Sequence, residues 1–152
     1  MAGWTKRNID WGEVKGLSIP HRHLELTGVA LGLVHLRPGK GYTFTHAHEK
    51  QEEVYMVIEG RGHILLDGEM VDVGPGDFVR VSPQTRRAVC AAADSYLKLI
   101  CAGGVPPATP AGDGSRVLID DGLPDFDDIP PWCRDDPTVA ERNAEIRKRM
   151  GR

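Results

Sequence analysis

His46 and His48 stand one residue apart, Glu53 follows after four residues, and Gly60 after six more. Residues i and i+2 of a strand face the same side, so both imidazoles are expected to project into one space. Glu53 opens the apolar run Val54-Tyr55-Met56-Val57-Ile58, which reads as the next strand, so its carboxylate can lie opposite the histidine pair. Two imidazole nitrogens and one carboxylate oxygen form a facial set. Such a set suits a divalent first-row metal and leaves positions open for water, oxygen or substrate.

The elements that must hold these residues read as short strands. Gly and Pro punctuate the chain from Gly28 to Gly104, and the apolar runs between them cover residues 29–36, 54–58, 63–66, 70–73, 77–81, 87–91 and 96–101. Strands at this rhythm, without a helical period between them, indicate an all-β sandwich or barrel. Asp67-Gly68 is a two-residue hairpin signal, and Pro38-Gly39 and Pro75-Gly76 mark tighter reversals. Residues 4–27 alternate enough to add edge strands. Residues 105–111 are proline-rich and read as an extended linker. An acidic stretch follows, with Asp120, Asp121, Asp125, Asp127, Asp128, Asp135 and Asp136. It reads most simply as a solvated connector, or as a cover for the barrel mouth or a neighbouring subunit. A helix is expected after Asp136, with that residue as cap, Pro137 at the first helical position and Gly151 at the end. Val139, Ile146 and Met150 fall near one face of it, and Arg147, Lys148 and Arg149 complement its C-terminal dipole.

The run from His46 to Gly60 resembles the first signature of the cupin family, G-x5-H-x-H-x3,4-E-x6-G. Lys40 takes the place of the leading glycine, with Gly39 and Gly41 on either side. Among the neighbouring carboxylates Glu49, Glu52 and Glu53, only Glu53 meets both intervals of that signature. The resemblance implies an all-β, single cupin-type jelly-roll β-barrel at residues 28–104. An N-terminal arm at 1–27 precedes it, and a Pro/Asp-rich extension at 105–152 ends in a short helix. It further implies His46, His48 and Glu53 as ligands of iron, zinc, manganese or nickel. Because cupins often pass an N-terminal strand to a partner, it also implies a homodimer with residues 4–17 as the strand donor. The second family motif, G-x5-P-x-G-x2-H-x3-N, aligned on Gly76, is degenerate: Ser82, Gln84, Arg87 and Ala91 replace its proline, second glycine, histidine and asparagine. Arg87 thus stands where the family places a further metal ligand.

Three readings of Arg87 are open. It can project inward and offer a fork of donors to an anionic ligand, or it can pair with Glu53 and replace the metal. Alternatively the strand is shifted by one and Arg86 faces inward instead. Phe44 shares parity with His46 and His48 and is the aromatic expected to touch a ligand; Tyr42 and Tyr55 read as core or pocket wall. His21 and His23 repeat the H-x-H spacing without a carboxylate at the interval, so exposure or a subunit contact is expected for them. His35 and His63 lie in strands and read as hydrogen-bonded structural residues.

At 152 residues the chain accommodates one domain with a proper core. A formal charge of −3 and the lack of a basic stripe argue against nucleic acid. No apolar run is long enough to span a bilayer, and the first residues lack a secretory h-region. Cys90, Cys101 and Cys133, without C-x-x-C spacing, read as free thiols of a reducing cytoplasm, with Cys90 and Cys101 as buried small hydrophobes. The functional expectation is metal-dependent chemistry of oxygenase, isomerase or lyase type on a small anionic molecule. A metal-free binder of a small ligand, or a scaffold for protein partners, are the other classes.

Overall fold

In the computed structural model, which describes residues 3–104 and 122–151, the strands form two five-stranded sheets. The expected linker at 105–111, Asp120 and Asp121 lie outside the described residues. One sheet runs in the order β1 (Gly16–Ser18), β2 (Ala30–Leu36), β9 (Leu97–Gly104), β4 (Glu52–Gly60) and β7 (Phe78–Val81). The other runs β10 (Gly122–Asp125), β3 (Thr45–His48), β8 (Arg87–Ala91), β5 (Gly62–Leu66) and β6 (Glu69–Val73). Every pairing is antiparallel. This agrees with the all-β sandwich or barrel expected from the turn rhythm, and with the jelly roll that the cupin resemblance implies.

Period-two burial shows which faces turn inward. Glu53, Tyr55 and Val57 are buried on β4, and Leu97, Leu99 and Cys101 on β9, with outward residues between them more exposed. Val34, Ile64, Val81, Val89, Leu97 and Leu99 pack into the core between the sheets, and each is at most 2% exposed. Burying an aliphatic side chain of this size stabilises by roughly 1.5–3 kcal/mol. Gly60 ends β4 at φ +81°, and a Cβ there would lie 1.9 Å from the Tyr96 carbonyl oxygen, so no side chain fits where the signature ends in glycine. Asp67 and Gly68 both take positive φ, 48° and 91°, as the expected β5–β6 hairpin requires.

At the ends of the chain the expected edge strand and helix form, and they differ from the expectations in detail. Within residues 4–27 one three-residue strand forms, β1, and it pairs with β2 of the same chain. Pro20 then opens a single helical turn, α1 (His21–Leu24), because its carbonyl accepts from the amides of His23 and Leu24. The C-terminal helix, α2 (Val139–Arg149), begins two residues later than Pro137 would place it. Asp136 still serves its start, accepting from the Thr138 amide at 2.9 Å and hydroxyl at 2.7 Å. Val139 is buried on the helix, whereas Met150 lies past its end and is half exposed.

The acidic stretch is not a solvated connector where it is described. Residues 122–125 form β10, which pairs along β3, and Phe126 is 5% exposed. Pro124, Phe126, Ile129 and Pro130, all at least partly buried, are interleaved with the aspartates, and that apolar set draws the segment onto the barrel. Among the described residues no helix is long and apolar enough to cross a membrane.

Candidate metal centre

The site is assembled from two strands of opposite sheets. On β3, His46 and His48 face the interior together, their rings 5.4 Å apart and nearly perpendicular. On β4, Glu53 and Tyr55 occupy the inward positions, and Gln51 precedes them with the same parity. Ligand atoms of His46, His48 and Glu53 lie within 4.8 Å of one another, the one such group of His, Cys, Asp and Glu among the described residues. Register explains how Gln51 reaches the site. Glu53 pairs with Gly103 on β9, and a Cβ on that glycine would come within 2.5 Å of the Gln51 amide nitrogen.

Glu53 is held from both oxygens. Oε2 accepts from Arg87 Nε at 3.1 Å and Nη2 at 3.0 Å, and from the Tyr55 hydroxyl at 2.9 Å. Oε1 is turned toward the histidines, 3.3 Å from His48 Nε2, with the Gln51 amide donating from 3.5 Å. Burial works to raise the Glu53 pKa. The His48 ring, followed by the charges of Arg87 and His46, outweighs it and holds the carboxyl well below its ordinary range. Desolvation pushes the His46 pKa down to about 4 against the pull of Glu53, so its imidazole is neutral and its lone pair free to ligate. Burial, then Cys101 and Glu53, push the phenols of Tyr42 and Tyr55 up; burial and Glu53 do the same to the Cys101 thiol. All three keep their protons at neutral pH.

Arg87 faces inward and is fully buried, opposite His46 in the β3–β8 register. Its remaining fork nitrogen, Nη1, donates to the carbonyls of Pro83 at 2.8 Å and Thr85 at 2.7 Å. The guanidinium is therefore committed to Glu53 and two carbonyls, and Arg87 does not line the cavity. Of the readings open in the sequence, the ligand-orienting one finds no free donor fork in this geometry, and the Glu53 pair is the one present. Arg86, with opposite parity, points outward and pairs with Asp125.

Phe44, Tyr42 and Tyr55 line the cavity beside the triad, and the Phe44 ring also packs at a tilt against Phe126, centroids 4.7 Å apart. Cys101, expected only as a small buried hydrophobe, lines it too. The other histidines lie elsewhere. His35 Nδ1 donates to the Trp11 carbonyl, His63 pairs with Asp72 across β5–β6, and His23 is exposed. The side chain of His21 lies outside the described residues. Gln51 is legible in principle from its parity with Glu53. Gly122, Pro124 and Met150, cavity residues from the C-terminal extension, carry no local signal in the sequence.

The extension also positions the histidine strand. Trp132 Nε1 donates to the Tyr42 carbonyl at 2.9 Å, and Asn143 Nδ2 donates to the carbonyls of Thr43 at 2.9 Å and Phe126 at 3.0 Å. Thr45 donates through its hydroxyl to Asp128 at 2.7 Å and through its amide to the Asp128 carbonyl at 3.2 Å.

The family model described as "Cupin domain" matches residues 32–103. A cupin protein from Bacteroides fragilis superposes with a TM-score of 0.66 at 29% identity, over 74% of this chain and 92% of that one. A putative sugar phosphate isomerase from Acidithiobacillus ferrooxidans has a similar fold, with a TM-score of 0.52 and 22% identity over 59% of this chain and 58% of that one. An uncharacterized protein of Methanocaldococcus jannaschii is 34% identical over 64 residues, 42% of this chain and 51% of its own. The chain thus spans about half the length of that curated relative. Matched family model, shared fold and the signature running from His46 to Gly60 agree: residues 32–103 of this chain form a cupin domain.

Proposed function

We propose that His46, His48 and Glu53 hold a divalent metal ion and that the cavity carries metal-dependent chemistry on a small molecule bearing an anionic head. The observation that carries this reading is the division of labour on Glu53. Arg87 and Tyr55 fix Oε2, so that Oε1 alone faces two imidazoles, one of which burial keeps neutral. A carboxylate oriented from behind in this way matches how outer partners orient ligands in metal sites. The donor set, two nitrogens and one oxygen, fits iron, zinc, manganese or nickel. When bound, such an ion supplies Lewis acidity toward an oxygen donor of the substrate. Tyr42 and Tyr55, held protonated, can donate hydrogen bonds but not act as bases near neutral pH. We further propose a homodimer, associating through the backbone at the outer edge of β1.

A second reading has its own support. The Arg87–Glu53 pair already neutralises the buried carboxylate, so the same cavity can serve as a metal-free binding site. Elemental analysis of protein purified without chelator and then supplemented with iron, zinc, manganese and nickel separates the two. Stoichiometric metal that is lost in His48→Ala and Glu53→Gln, yet kept in His63→Ala, supports the metal site. Wild-type protein that takes up none of the four metals leaves the metal-free reading.

A further inference from the structure

The cavity that begins at the triad encloses about 780 Å³, within the range of small-molecule sites. His46, His48, Gln51 and Tyr55 are gathered around Glu53. The remainder of the lining is dominated by Leu17, Ile19, Leu31, Phe44 and Met150. Leu17, Ile19 and Met150 are 49%, 44% and 49% exposed, so apolar surface continues to the mouth. Among the described lining residues there is no lysine or arginine, and Glu53 is the one carboxylate. Arg87 cannot make good that lack, because its charge is cancelled by Glu53 and it stands outside the lining.

These facts constrain the occupant. A polyhydroxylated or phosphorylated molecule would leave most of its polar groups against apolar walls without partners, at a cost for each. An anionic head unaided by a bound cation would find no lysine or arginine among the described lining residues to pair with. An apolar body, by contrast, gains from the apolar part of the wall. We infer that the cavity takes a molecule with an apolar, aromatic or branched aliphatic body and a single electron-pair-donor head. The head lies at His46, His48 and Glu53, and the body lies against Leu17, Ile19, Leu31, Phe44 and Met150. The placement of the head rests on the metal reading above, whereas the class of the body rests on the walls alone.

The test uses calorimetric titration of the full chain, metal-free and metal-loaded, with three probes: 4-phenylbutanol, 4-phenylbutanoate and glucose 6-phosphate. The alcohol binds both forms. The carboxylate binds the metal-loaded form at least about tenfold more tightly than the metal-free form, a difference of roughly 1.4 kcal/mol. Glucose 6-phosphate binds neither as well as the phenyl compounds do. Leu17→Asp and Met150→Asp, both at half-exposed positions, weaken both phenyl probes about tenfold or more. Tighter binding of glucose 6-phosphate than of 4-phenylbutanoate overturns the inference. So does failure of both phenyl compounds to bind either form, or indifference to both rim substitutions. Protein that binds the alcohol but takes up no metal sinks the metal reading and supports the apolar-body inference. Protein that takes up metal but ignores the phenyl probes does the reverse.

Discussion

The two strands that bring the ligands together are supported in different ways. β4 is nine residues long and is paired along its length with β9 on one side and with β7 on the other. Its Glu53 is locked by a fully buried arginine from the opposite sheet. β3 is four residues long and meets β8 at one register pair, His46 with Arg87. Its other edge is completed by β10, and the stretch before it is tied down by Trp132, Asn143 and Asp128. The carboxylate half of the site therefore depends on the barrel itself, and the histidine half on the C-terminal extension. One site can thus be stiff on one side and adjustable on the other.

The largest effect is expected where the stiff half is broken. Arg87→Met leaves Glu53 charged, buried and without its two guanidinium bonds, and should destabilise the protein by roughly 3–5 kcal/mol in urea unfolding. Adding Glu53→Gln to that variant removes the stranded charge and should recover most of the loss, since replacing both partners of a buried pair costs far less than removing one. A cost below about 1 kcal/mol for Arg87→Met would mean that the pair does not anchor β4.

Acid should act on both halves of the metal-free protein in the same direction. The folded pKa of His46 is about 4, below its ordinary value of 6.5, so between these the unfolded chain holds a proton that the folded chain does not. Stability then rises with pH across this window and is lost as pH falls from 6.5 toward 4. The full shift corresponds to on the order of 3 kcal/mol. Glu53, whose folded pKa is depressed, adds a slope of the same sign below its unfolded value of 4.5. His46→Gln should flatten the slope of unfolding free energy between pH 4 and 6.5 and leave the limb below pH 4.5 in place. An unchanged slope in that variant would assign the acid sensitivity to another group.

The same asymmetry divides what is legible in the amino-acid sequence from what is not. The carboxylate half is legible because its determinants are local. Period-two burial places Glu53 and Tyr55 on one face, and Gly60 ends the strand where Tyr96 leaves no room for a Cβ. The adjacent Arg86 and Arg87 can be assigned only as a pair, since a slip of one residue exchanges their faces. What settles the choice is distant in sequence: Glu53 for one and Asp125 for the other. Support for the histidine half is not legible. Asn143 lies 100 residues from Thr43, and nothing in a polar residue on a charged helix signals that it bonds carbonyls of two other segments. The aspartates around Phe126 and Pro130 likewise suggest solvent, although the apolar residues between them bury the segment against the barrel.

The adjustable half should respond to Asn143→Ala with a smaller and more local loss. Asn143 is 2% exposed on α2, and its amide spans the carbonyls of Thr43 and Phe126. Alanine leaves two buried acceptors without a donor, a cost of roughly 1–3 kcal/mol. The better helix propensity of alanine offsets about half a kcal/mol of that. Because β4 takes no support from Asn143, the loss should be confined to the strand that carries the histidines. Amide hydrogen exchange separates the outcomes: faster exchange at Thr45 and His48 with Glu53 and Tyr55 unchanged is the expected pattern. Metal affinity, where metal binds, should fall in the same variant although no ligand has been altered, because two of the three donors have lost their fixed spacing. If exchange accelerates equally on β3 and β4, the two halves unfold as one unit, and the division between a barrel-held carboxylate and extension-held histidines does not stand.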